Sequence, residues 1–147
     1  MRLTADYPPI WLAGFVAGAW GLGRVLPAGP GWLVWPGRVL VLLGLLLMAW
    51  AAVTMLAART TVDPHGSPQA LVTHGPFRLS RNPIYLGDLV ILVGLSLSFG
   101  AWIAAPALGW LFARIVTTRF IAPEEARLAQ AFPLQFAQFR ARTRRWI

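Results

Sequence analysis

Val39–Ala58, VLVLLGLLLMAWAAVTMLAA, runs for 20 residues without a charge. A helix of that length covers roughly 30 Å, the thickness of a bilayer's hydrocarbon core. The rest of the composition agrees with a membrane span. The chain is 57% hydrophobic with a mean hydropathy of +0.61, where a soluble domain averages about 45–50% apolar residues. The sequence therefore reads as an integral membrane protein forming one bundle.

Working outward, Pro9–Leu26 is apolar except for Arg24 near its far end, and its Gly14-x-x-x-Gly18 spacing suits close helix packing. Asp6, Pro8, Pro9 and two tryptophans fit a signal peptide poorly, so the segment reads as a retained span. Pro27–Gly37, rich in proline, glycine and tryptophan, is a tight connection at an interface. Arg59–Pro83 is the longest polar segment, and a connection of that length is expected to be functional. Ile84–Thr118 has only Asp88 and Arg114 charged. As one helix it would run about 52 Å, so it divides into two spans near Gly100.

The expected fold is all-α: a single domain over 1–147 with four transmembrane helices at about 9–26, 38–58, 84–99 and 101–118, a cytoplasmic loop over 59–83 and a C-terminal amphipathic helix over 123–141. Pro123-Glu124-Glu125 opens that last helix, with carboxylates in the first turn. Leu128, Phe132, Phe136 and Phe139 form its apolar face, and Arg140, Arg142, Arg144 and Arg145 suit a membrane surface. Four spans put the arginine-rich loop and tail on one side. By the positive-inside rule that side, with the N-terminus, is cytoplasmic.

The net charge is +8, from 13 arginines and no lysine. The arginines cluster at the ends of apolar blocks instead of forming a basic stripe between stacking aromatics, which argues against nucleic acid and for membrane lipids as partners. No cysteine is present, which excludes disulfides and thiolate chemistry. Phosphate-loop, dinucleotide-binding and nucleophile-elbow motifs are missing, and His65 and His74 have no spacing suited to a metal. The arginine, alanine and leucine content without lysine points to a GC-rich prokaryotic genome and hence a plasma membrane.

The remaining polar groups fall on one predicted side: the Leu71–Tyr85 segment, Arg119, and Glu124 with Glu125. Arg59, Arg78 and Arg81 read singly as span-end anchors at lipid phosphate. Asp88 lies about one turn inside a span, where an ionisable residue is a functional candidate or a partner for Arg81 or Arg119.

Thr61-Val-Asp-Pro-His, LVTHGPFRLSRNPIYLG over 71–87, Ile121-x-x-Glu-Glu-x-x-Leu and the basic, aromatic tail together resemble the isoprenylcysteine carboxyl methyltransferase and phospholipid methyltransferase superfamily, over about residues 60–147. The resemblance implies an all-helical membrane enzyme that uses S-adenosylmethionine and acts on a lipophilic substrate in the bilayer. Carried over residue by residue, cofactor binding falls on Gln69, Ala70, Leu71 and Val72, on Phe77, on Asn82, Pro83, Ile84 and Tyr85, and on Glu124. Arg119 and Glu124 form the implied catalytic set, with Arg119 and Asp88 toward the substrate. In the prenylcysteine branch an arginine stands four residues before the glutamate. Here that register gives Phe120, with Arg119 one position away.

The chemistry of the residues agrees with this in outline. A carboxylate accepts ribose or ammonium hydrogen bonds, loop amides take the adenine edge or the amino-acid carboxylate, and an aromatic ring faces a sulfonium. The acceptor is either a carboxylate, as in isoprenylcysteine, or a phospholipid amine. Two other classes stay open: an NADPH-binding membrane protein similar to the sterol reductases, and a non-catalytic membrane scaffold or lipid-binding protein.

Overall fold

The computed structural model describes residues 6–63 and 65–147; the first five residues of the polar entry and Pro64 of the central loop lie outside the described residues. Every regular element among the described residues is helical, as the apolar blocks require. The helices are α1 (Pro8–Val25), α2 (Val34–Ala57), α3 (Pro83–Ser98), α4 (Ala105–Val116), α5 (Ala122–Ala131) and α6 (Pro133–Arg142). Short 3₁₀ turns at Gly31–Leu33 and Gly75–Arg78 and a π-helical turn at Thr117–Ile121 complete the order.

Among the described residues one helical stretch, Gly31–Ala57, is long and apolar enough to cross a bilayer by length and composition. Leu42, Leu43, Leu45, Leu46, Val53 and Leu56 along it are all more than half exposed, as lipid-facing side chains are. α3 is apolar but has 16 residues, and α4 has 12, each shorter than the roughly 20 that a full crossing needs.

The chain divides into two compact units, residues 1–45 with 88–116 and residues 46–87 with 117–147. In the first unit α1 packs on α4, with Phe15 edge-on to the fully buried Phe112 at 5.4 Å between ring centroids. α3 ends at Ser98, and Gly100 takes φ +84° so that the chain can reverse before α4. α2 and α3 meet backbone to backbone at Gly37 and Gly94. A Cβ on Gly94 would stand 2.5 Å from the Gly37 carbonyl oxygen and 3.0 Å from Leu40 Cβ. Gly94→Ala must force these helices apart, and overpacking of this kind costs about 1–3 kcal/mol. We expect a clearly lowered unfolding temperature in detergent, and an unchanged one would contradict the crossing.

The second unit has its own apolar core of Ala51, Val72, Phe77, Phe136 and Phe139, flanked by Met55, Leu71, Ile84 and Leu128. The single amphipathic helix expected over 123–141 is two helices. Phe132 leaves helical geometry at φ −135°, ψ 62°, because the following Pro133 disfavours the α conformation in the residue before it. The apolar face survives the break, since Phe136 and Phe139 are buried in this core and Leu128 packs against it.

Candidate active site

The site belongs to the second unit and starts from α2. Beyond its C-terminus the buried hydroxyl of Thr60 accepts hydrogen bonds from the backbone N–H groups of Gln69 and Ala70 at 3.3 and 3.4 Å. That single side chain ties the returning segment 69–72 alongside the end of α2. Segment 70–72 and Phe77 from the Gly75–Arg78 turn form one wall of a cavity whose other walls include Thr60, Thr61, Asp63, Glu124 and Arg127. It has about 540 Å³ counted out to its open mouth, solvent included, and its inner part is narrow, about 50 Å³.

The first turn of α5 presents two carboxylates that do different work. Glu125 is buried and gripped by two guanidiniums: Arg81 Nε donates to Oε1 at 3.1 Å, and Arg145 Nη2 to Oε2 at 2.7 Å. Burial alone would raise its pKa, but the hydrogen bonds from Arg145 and Arg81 outweigh it and hold the carboxyl below the usual range. The same pairing raises the pKa of Arg145. Arg81 is therefore not a lipid anchor. It also donates from Nη1 to the Thr143 carbonyl at 2.8 Å, and Ser80 Oγ and Asn82 Nδ2 both donate to the Arg145 carbonyl. Residues 143–145 are thus strapped to residues 80–82.

Glu124 instead lines the cavity and accepts a hydrogen bond from Tyr85 Oη at 3.3 Å. Burial raises its pKa to about 7, against the lowering effects of the Tyr85 hydroxyl and the Arg127 charge. A folded pKa above the ordinary value means the folded protein holds the extra proton, so Glu124 favours folding at low pH and that contribution is lost as pH rises through about 7. A ligand that needs the ionised form must displace this proton at lower pH. We therefore expect affinity for a cationic or hydroxyl-donating ligand to rise between about pH 6 and pH 8, with proton release on binding below pH 7. Titration calorimetry in buffers of different ionisation enthalpy reads both.

Of the residues the sequence nominates, the structure brings Ala70, Leu71, Val72, Phe77 and Glu124 together on the cavity, with Tyr85 reaching it through Glu124. Others are elsewhere. The Gln69 side chain is exposed and donates to the Ser67 carbonyl at 3.4 Å. Asn82 is buried with its amide committed to the Arg145 carbonyl. Pro83 is buried away from the cavity lining, and Ile84 packs against the apolar core. Asp88 is buried and belongs to the first unit, not to the cavity lining. Arg119 lies exposed in the π turn, outside the lining. Phe120, one residue on, is buried and stacks near the Tyr85 ring at 6.5 Å and 24°. Thr60 and Arg127 were not singled out by sequence, and Arg81, Glu125 and Arg145 were named there singly, not as a cluster. The one available signal was Thr60 at a helix end, which commonly means a backbone hydrogen bond.

Residues 32–135 match the phospholipid methyltransferase family. The chain belongs to that family. A curated relative is the cobalt-zinc-cadmium resistance protein CzcN of Cupriavidus metallidurans, 31% identical over 109 residues, which are 74% of this chain and 49% of that protein. The chain thus spans about half the length of this relative. No solved structure matches it. The family match covers both the loop and the first turn of α5 that build the cavity.

Proposed function

We propose that the protein is an S-adenosylmethionine-dependent methyltransferase that modifies a lipophilic substrate of the bilayer, with the cavity of the second unit as the cofactor site. The observation that carries this reading is the division of labour in α5: Glu125 is consumed by two arginines, while Glu124 faces the cavity with a hydroxyl as its hydrogen-bond partner.

The donor set fits the cofactor. Glu124 accepts from the ribose diol or the ammonium group, the backbone of Ala70–Val72 offers amide edges to the adenine or the carboxylate, and the Phe77 ring gives a face for a cation. Arg127 adds a positive charge for the amino-acid carboxylate. When bound, S-adenosylmethionine supplies an electrophilic methyl group. The chain's own residues then act by holding and aligning, and by keeping water from the cavity. Methyl transfer to a carboxylate acceptor needs no general base. An amine acceptor must reach the site unprotonated.

Arg119 and Asp88 remain the residues we assign to the substrate, Arg119 orienting an anionic acceptor. Four membrane crossings, with N-terminus, loop and tail on the cytoplasmic side of a prokaryotic plasma membrane, would bring the cofactor from the cytoplasm and the substrate sideways from the lipid. The test is transfer of radiolabelled methyl from S-adenosylmethionine into an organic-extractable lipid fraction by the purified full chain. Label should enter that fraction with wild type and fall to background with Glu124→Ala. Equal transfer by the variant would remove the role assigned to Glu124, and no transfer to carboxylate or amine lipids would count against the enzyme reading.

A further inference from the structure

A second cavity in the same unit is unused by this function. It lies between α6 and the segment 69–73, has about 680 Å³ counted to its open mouth, and is lined by Gln69, Thr73, Phe132, Gln135, Gln138 and Arg142 together with Ala70 and Leu71. Ala70 and Leu71 also line the cofactor cavity, so segment 69–73 is a wall common to both. Its chemistry is one-sided. Arg142 is the charged lining residue, the three glutamines and Thr73 add neutral donors, and no carboxylate faces the space. Such a lining suits an oxyanion: the planar guanidinium forks onto two oxygens, and amide N–H groups take the remainder. An acidic residue, which would repel an anion, is lacking among the lining residues.

The surroundings select the ligand class. α6 is the basic, amphipathic end of a membrane-family chain, and Arg140 and Arg144 lie exposed around Arg142 in sequence. Leu134 on the same helix is 80% exposed, which gives an apolar contact beside the polar cavity. We infer that the cavity lined by Arg142, Gln69, Gln135 and Gln138 is a phosphate-recognising site, separate from the methylation site, that takes the phosphate group of an anionic phospholipid or the free ion. It also accounts for Gln69, which turns away from the cofactor cavity and lines this one.

The test uses the full chain in nanodiscs of phosphatidylcholine, with phosphatidylglycerol in the disc in one arm and inorganic phosphate in solution in the other. Native mass spectrometry reads retained phosphatidylglycerol, and thermal unfolding reads stabilisation by phosphate. Arg142→Gln and, independently, Gln138→Ala should weaken binding, Arg142→Gln by about tenfold, the usual effect of losing a hydrogen bond to a charged group. Arg140→Gln removes the same charge from the same helix outside the cavity and should leave binding near wild type. Retention of phosphatidylglycerol without an effect of free phosphate assigns the headgroup; stabilisation by free phosphate in the arm without phosphatidylglycerol assigns the ion. Equal weakening by Arg140→Gln and Arg142→Gln would mean diffuse attraction to a basic surface, and no binding by a folded wild type would mean no site. Either result overturns the inference. S-adenosylhomocysteine binding measured in phosphatidylcholine discs is a separate readout, so failure here leaves the proposed function standing.

Discussion

Glu124→Ala should lower affinity for S-adenosylhomocysteine by roughly tenfold to a hundredfold, the usual effect of losing a charge-assisted hydrogen bond worth about 1.5–3 kcal/mol. The substitution should cost little stability. Glu124 is a desolvated carboxyl whose pKa stands near 7, so near neutral pH its charged form is already disfavoured. Above about pH 7 the wild type bears the full desolvation cost of the ionised group, and there the variant should unfold at an equal or higher temperature. Retained affinity would mean that the carboxylate does not touch the ligand. A large loss of both affinity and stability would mean that it is a structural group.

The neighbouring substitution should behave in the opposite way. Glu125→Ala leaves Arg81, whose side chain is 10% exposed, without its carboxylate, and it frees the Arg145 guanidinium from the same carboxylate. Removing one partner of a buried pair costs about 3–5 kcal/mol, because the remaining charge stays desolvated and uncompensated. A fall of that size in unfolding free energy should appear as a much lower melting temperature in detergent, whereas Arg140→Ala, exposed on α6, should stay within about 0.5 kcal/mol. The pH dependence is also opposite to that of Glu124. The folded pKa of Glu125 lies below its ordinary 4.5, so its contribution is present above that value and is lost as pH falls through the depressed one. An unchanged melting temperature would show that the cluster is ornamental.

Adjacent carboxylates on one helix are indistinguishable by pattern alone, since both sit in the first turn and both suit the helix dipole. What separates Glu124 from Glu125 is tertiary. Arg81 lies 44 residues before Glu125 and Arg145 lies 20 after it, and only the folded loop and tail bring both guanidiniums to one carboxylate. The same tail claims Asn82: the motif marks it as a ligand contact, but the Arg145 carbonyl takes its amide. Apolar patterning was enough for the helical class and for one helix long and apolar enough to cross a bilayer, because such a crossing asks only for length and hydrophobicity. The end of α5 was legible in principle from Pro133. The regular spacing of Leu128, Phe132, Phe136 and Phe139 masked it, because the two shorter helices keep the same apolar face. The π turn at Thr117–Ile121 had no such signal. Its altered winding buries Phe120 beside Tyr85 and leaves Arg119 exposed.

Calorimetric titration of the detergent-purified full chain with S-adenosylhomocysteine, run beside NADPH, tests the cofactor assignment most directly. Saturable one-to-one binding of S-adenosylhomocysteine with no heat from NADPH is the predicted result. A folded protein that ignores S-adenosylhomocysteine and binds NADPH would contradict it.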